Sequence, residues 1–232
     1  MNPLQQQLGL SKPPIAVGFF DEAPAGIARW NDGPVPAGCA FWRAAADGRT
    51  FYTVPSDHYN CAVGAYVHNI ALPPERGSAL NDTITFMVTS GYLQTAEVPL
   101  IPSLPRTPQF IAYGPMGEAG FRADVVVVAA RPGAAMLLYE AALRCGAGSI
   151  ATPALGRPGC AVLPMALNSG FSALSFGCKG NRTFTGLPDE EMYLSIPGAK
   201  WDAVLEAVGT ITGANETMEA HYRQHEATVR GQ

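Results

Sequence analysis

Two short runs constrain this chain more than anything else in it. Pro14-Ile15-Ala16-Val17-Gly18-Phe19-Phe20 and, far downstream, Asp124-Val125-Val126-Val127-Val128-Ala129-Ala130 are continuously apolar rather than alternating. A half-solvated strand alternates polar and apolar positions, so an unbroken run bounded by Pro or Asp reads as a strand buried on both faces. Such a strand needs cover on both sides. The sequence offers a helix after each run: Cys39 to Ala46, closed by Gly48, and Gly133 to Leu143, opened by Pro132 and closed by Gly146. Each half then carries a short extended piece and a second helix start, Cys61-Ala62-Val63 with Asn69 eight residues on, and Cys160-Ala161-Val162 with Asn168 eight residues on. The shared order predicts an α/β fold, a mixed sheet with helices, in two similar halves related by an internal duplication. The expected half-repeats are about 12–98 and 109–212 of a single compact unit 1–232, with a C-terminal helix at about 215–230.

Between the halves, Val98 to Pro108 has proline at every third position, the period of a polyproline II segment. Apolar segments follow on both sides, so it reads as a stiff connector rather than an exposed ligand for a proline-recognising module. The remaining pattern predicts helices at 82–96, 200–211 and 215–230, and strands at 109–113, 171–176 and 192–196. Thr83-Ile84-Thr85-Phe86-Met87-Val88-Thr89 is rich in strand formers, which sets local propensity against the first of these helices.

Charge narrows the function classes. The net charge is -4, and the 15 Lys and Arg are dispersed, which gives no footprint for nucleic acid or an anionic membrane. Only 15% of residues are charged, a thin polar surface that predicts a homo-oligomer. No basic residue precedes Lys12, and no apolar run approaches the roughly 18 residues of a membrane span, so the expectation is a cytoplasmic protein. Five cysteines, an odd number, fit reduced thiols better than a disulfide framework. No G-x-G-x-x-G or P-loop pattern occurs.

Several motifs together carry a resemblance: Lys12 to Val17; Cys39 before a helix and Gly48; His58-Tyr59-Asn60-Cys61-Ala62-Val63-Gly64; Gly156-Arg157-Pro158-Gly159-Cys160; and Phe176-Gly177-Cys178-Lys179-Gly180-Asn181-Arg182 followed by Asp189-Glu190-Glu191-Met192. In this order they resemble the prokaryotic family catalogued as domain of unknown function 169, over about Lys12 to Ile211. The resemblance implies a single α/β body and a cysteine pattern of Cys39, Cys61, Cys160 and Cys178, and no particular reaction. Cys145 lies outside it and reads as a packed thiol.

The chemistry of those four cysteines leaves three readings open. Four thiolates suffice to close a zinc site or to hold an iron-sulfur cluster, the two cofactors expected here. The intervening stretches of 21, 98 and 17 residues contain no paired C-x-x-C knuckle, so any such site must be assembled by the fold. The second reading is a thiol-dependent enzyme acting on a small anionic substrate. Cys178 is then the nucleophile, Arg182 and Lys179 lower its pKa, and Lys179, Asn181 and Arg182 bind a carboxylate or phosphate; His58 is the candidate base. The third is buried structural thiols with no cofactor. His221 and His225 share a helix face, but their charged setting reads as a solvated tail, and Asp189-Glu190-Glu191 reads as an acidic turn.

Overall fold

The two apolar runs become neighbouring strands at the centre of one sheet. The computed structural model describes residues 3–150, 154–155 and 157–230. Along these the chain forms α1 (Pro3–Leu8), β1 (Ile15–Phe20), α2 (Ala40–Ala46), β2 (Phe51–Thr53), α3 (Ala62–Val67), α4 (Ala79–Thr89), β3 (Phe110–Pro115), β4 (Val125–Ala130) and α5 (Pro132–Arg144). It continues through β5 (Ala154–Leu155), α6 (Val162–Ser169), β6 (Ala173–Ser175), α7 (Lys179–Thr185), β7 (Met192–Pro197) and α8 (Trp201–Arg230). The sheet order is β2-β3-β1-β4-β7-β6-β5. Six strands pair antiparallel, with Ile15 opposite Val127 and Val17 opposite Val125 at the centre, and the edge strand β5 adds in parallel to β6.

The unbroken apolar character of β1 and β4 follows from two packed faces. Val17, Ile111, Val125 and Val127 point to one side, under Phe41 and Trp42 of α2, Val67 of α3 and Leu163 of α6. Ala16, Val126, Val128 and Leu194 point to the other, under Leu8 of α1, Leu138 of α5 and Val204 of α8. Val125 to Val128 have no exposed surface at all, and full burial of each such side chain contributes about 1.5–3 kcal/mol. Among the described residues no helix is long and apolar enough to cross a membrane.

The strand roles mirror one another across the β1–β4 seam, but the helices do not. A twofold axis through the seam would place α2 and α5 on the same face of the sheet, and they lie on opposite faces. The internal duplication is therefore not shown by this arrangement. What the two Cys-Ala-Val motifs do share is an anchoring role, since Asn69 Nδ2 donates to Leu104 O at 3.1 Å and Asn168 Nδ2 donates to Ser103 O at 2.9 Å. Both asparagines thus clamp neighbouring carbonyls of the proline-rich connector. That connector is anchored through Ile101 and Leu104, both buried, and only its later part is extended.

Three expected elements differ. The helix placed at 82–96 is α4, which ends at Thr89; the chain turns at Gly91, where φ is +73°, and re-enters as a 3-10 helix at Thr95–Leu100 with Pro99 inside it. The helices placed at 200–211 and 215–230 are one continuous helix, α8. Asn215, which looks like a cap, instead donates to Ile211 O at 3.0 Å and to Glu140 Oε2 on α5 at 2.8 Å, so it supports the helix interior. After the strand expected at 171–176 the chain forms α7, for which no helix was expected; Cys178 caps it, and Lys-Gly-Asn-Arg-Thr-Phe-Thr conceals it because most of these residues have weak helical propensity.

Candidate functional site

All four cysteines of the sequence pattern sit at the start of a helix or helical turn on one face of the sheet. Cys61 caps α3, and its Sγ accepts from Gly64 N at 3.3 Å. Cys178 caps α7 in the same way, its Sγ accepting from Asn181 N at 3.3 Å. Cys39 immediately precedes α2, and Cys160 lies in the 3-10 turn Gly159–Ala161 that leads into α6. A Cβ on Gly159 would come within 3.0 Å of Cys178 N and 3.1 Å of the Asn181 side chain, so glycine there permits the Cys160 turn to lie against the start of α7.

The four thiols line one cavity of about 320 Å³. Its other walls are mostly apolar, from Val63, Ile84 and Met87 on α3 and α4, then Leu93, Ile101 and Phe184. Lys179, Arg157 and Asn181 also reach it. No carboxylate pairs with Lys179 among the described residues, whereas Arg157 pairs with Glu97 at 3.1 Å, stacks on Tyr92 and donates to the Tyr92 carbonyl. Tyr92 Oη in turn accepts from Lys179 N at 3.0 Å. Tyr92, Glu97 and the α4 wall carry no sequence signal for a site. Arg157 stands in one of the sequence motifs, and its role as the brace between the 92–97 segment and the cysteine turn emerges only in three dimensions.

The thiols feel one another. Burial, followed by the charges of Cys178 and Cys61, pushes Cys39 up to about 12 from 9.0, against a smaller opposing influence of the Asn181 side chain. Cys160 is driven well above its ordinary value by burial and then by Cys61, Cys39 and Cys178. Cys61 is raised by burial and by Cys178, with the Gly64 N–H opposing. Cys39, Cys61 and Cys160 are therefore neutral thiols at neutral pH, and a second or third thiolate in the cavity requires a compensating positive charge. As the side chains stand, no group of three or more His, Cys, Asp or Glu among the described residues is arranged to hold a single metal ion.

The other sequence candidates lie elsewhere. Arg182 donates to Pro188 O at 2.7 Å and to Glu191 O at 2.9 Å, so its guanidinium secures the turn before β7. His58 is buried. Its Nε2 bonds Thr53 Oγ1 at 2.9 Å, and because Thr53 Oγ1 donates onward to Ile111 O, that nitrogen is the donor. Its bare Nδ1 faces Gly38, where a Cβ would come within 2.5 Å, and its ring lies 5.2 Å from that of His68. Burial, and then His68, hold its pKa well below the ordinary value. His58 does not line the cavity, so it and Cys178 are not brought together. Cys145 packs into the core on the opposite face of the sheet. His221 and His225 are exposed on α8. Asp189 is fully exposed, Glu190 pairs loosely with Arg131, and buried Glu191 accepts from Ser11 Oγ at 3.0 Å.

Fold and site together define a mixed α/β protein with a cavity lined by four cysteines on one sheet face. The chain belongs to the family catalogued as domain of unknown function 169, described as uncharacterised ArCR, whose family model matches residues 3–207. No curated protein and no solved structure matches it.

Proposed function

We propose that this protein binds an iron-sulfur cluster through Cys39, Cys61, Cys160 and Cys178. The observation that carries the reading is the convergence, on one largely apolar cavity, of four cysteines drawn from four separate segments. Three further features support it. Two of the sulfurs already accept backbone N–H hydrogen bonds, the contacts that tune thiolates in such centres. The mutual repulsion of the thiolates disappears when they share positive metal charge. The sulfurs line a cavity of about 320 Å³, which has space for a multi-iron core. When bound, such a centre supplies one-electron transfer or a site for ligand activation; the chain's part is to exclude water with the α4 wall and donate N–H groups to sulfur. The nucleophile reading centred on Cys178 draws support from Lys179 at the cavity but none from His58 or Arg182, which are occupied elsewhere.

The test is metal content. Protein made and purified without oxygen is expected to be brown and to carry iron and acid-labile sulfide. Serine at Cys61 or Cys178 should remove most of it by exchanging a soft ligand for a hard, poorly ionised one, and serine at Cys145 should leave it intact. A stoichiometric zinc content without iron would move the assignment to zinc. Absence of both metals from anaerobic protein would refute the cofactor and leave structural thiols.

A further inference from the structure

Two of the sequence motifs take no part in the cysteine cavity: Lys12 to Val17, and Asp189 to Met192. They meet at a second cavity, of about 250 Å³, which shares no lining residue with the first and lies beside the far end of α2 from Cys39. A cavity of that size suits a ligand smaller than a drug-sized molecule. Glu191 lines it and is only 5% exposed. Its Oε2 accepts from Ser11 Oγ at 3.0 Å, and among the described residues no cation forms an ion pair with its carboxylate. The cations nearby are engaged elsewhere. Lys12 and Arg43, both exposed in the cavity wall, pair with Asp47, and Arg182 donates to the main-chain oxygen of Glu191. A carboxylate taken out of water without a countercharge is strongly penalised, so the missing charge points to a cationic ligand.

The rest of the lining says what kind of cation. Trp42 and Tyr193, 1% and 3% exposed, stand in the same wall with their rings at 87° and their centroids 5.1 Å apart. Aromatic faces attract organic ammonium groups, whereas Ca²⁺ or Mg²⁺ needs about six oxygen ligands, and this cavity offers one carboxylate. Trp42 Nε1 is also buried without a hydrogen-bond partner, so a donor is open as well as an acceptor. We propose that this second cavity binds a small organic amine whose ammonium pairs with Glu191 and whose hydroxyl or carboxylate accepts from Trp42 Nε1. The site is separate from the cysteines, and the proposal does not rest on a metal.

The probes are 4-amino-1-butanol and its neutral isostere 1,4-butanediol, titrated into the ¹⁵N-labelled full chain. The amine should shift amides of residues 42–47 and 185–193 and saturate with a Kd of about 1 mM, and the diol should bind at least about tenfold more weakly. Glu191→Gln, which can still accept from Ser11, should weaken the amine at least about tenfold. Ala46→Leu fills the cavity without touching the carboxylate and should abolish binding, so the test stands even if Glu191→Gln fails to fold. Lys12→Met should leave the affinity unchanged; a marked tightening would show that Lys12 already neutralises Glu191 and would overturn the open countercharge. No saturation by about 50 mM amine, equal binding of the diol, or binding that survives Glu191→Gln or Ala46→Leu overturns the site.

Discussion

If buried thiols in one cavity suppress each other's ionisation, the pH profile of alkylation should reveal it, and Cys39 is where the effect can be worked out. Its pKa is raised from 9.0 to about 12, by burial first and by the Cys178 and Cys61 charges next. At pH 8 a thiol of pKa 9.0 is about one-tenth thiolate, and one of pKa 12 about one part in ten thousand, so reaction through the thiolate slows by about a thousandfold. Poor access alone would also slow it, but would lower the whole curve and leave the inflection where it was. The assay is quench-flow alkylation with iodoacetamide on metal-free, reduced protein between pH 7 and pH 10, with each cysteine quantified by peptide mass spectrometry and the urea-unfolded chain as reference. In the folded protein the Cys39 rate should climb tenfold per pH unit across the range, without the plateau that the unfolded chain approaches. Asn181→Ala, which removes the amide whose influence opposes the rise, should lower the rate further at every pH. A Cys39 profile that bends near pH 9 like the unfolded reference, whatever its absolute rate, would show that the cavity does not hold this thiol neutral.

The buried histidine pair makes stability depend on pH. His58 and His68 are both held below 6.5 when folded, chiefly by burial, so their stabilising contribution is complete above pH 6.5 and is lost as pH falls toward the depressed values. Each should approach a loss of about 1.4 kcal/mol per pH unit; urea midpoints at pH 7.5 and 5.5 measure it, and an unchanged slope in His58→Gln with His68→Gln would defeat the assignment. Gly64→Ala sets a Cβ 3.2 Å from Cys61 Sγ and should cut iron content sharply with little loss of thermal stability, since Ala favours the helix by up to about 1 kcal/mol; full iron loading of that variant would show that the Cys61 position tolerates displacement. Leu138→Ala, in the core on the opposite face, should cost about 2–5 kcal/mol in urea unfolding while leaving the cavity thiols' alkylation rates unchanged.

The sheet was legible in the sequence because a strand buried on both faces leaves an unbroken apolar run, and β1, β3, β4 and β7 fall within a residue or two of where those runs lie. The helices after β1 and β4 were legible for the same reason, through Pro and Gly at their ends. Which face each covers was not, because a βα step reads identically whether it crosses above or below the sheet; this is where the expectation of a duplication outran the information. The start of α7 was hidden because Gly180 and Asn181 have little helical propensity and the turn is held by the Cys178 cap and by Thr183 and Thr185 bonding back to Lys179 O and Asn181 O. The four cysteines that line the one cavity were legible as a pattern, though not their convergence. The role given to Arg182 came from nearness in sequence to Cys178 and that given to His58 from its place in the motif before Cys61, and their hydrogen bonds lead to the 186–191 turn and to Thr53.

The spacing that made the cysteines hard to interpret has a thermodynamic consequence. A paired knuckle brings its sulfurs together within one loop, so metal and local structure form together. Here Cys39 and Cys61 lie on one side of the β1–β4 seam in sequence, and Cys160 and Cys178 on the other, so the cavity closes only when β1 has paired with β4 and both halves have packed α2, α3, α6 and α7 over the same face. The ends of the intervening loops are joined by the sheet rather than by the site, so most of the chain entropy of bringing the cysteines together is already met by the sheet. A centre bound there would therefore stabilise the whole fold against global unfolding by mass action, rather than nucleate a segment of it. Removing metal with a chelator should accordingly lower the unfolding midpoint of α5 and α8, on the far face, as much as that of α3 and α7, with the far-ultraviolet signal of the folded state retained. Hydrogen exchange resolved by segment distinguishes the cases: a loss of protection confined to residues 61–67 and 178–185 would mean that the sulfurs are held by local structure, with no coupling through the sheet.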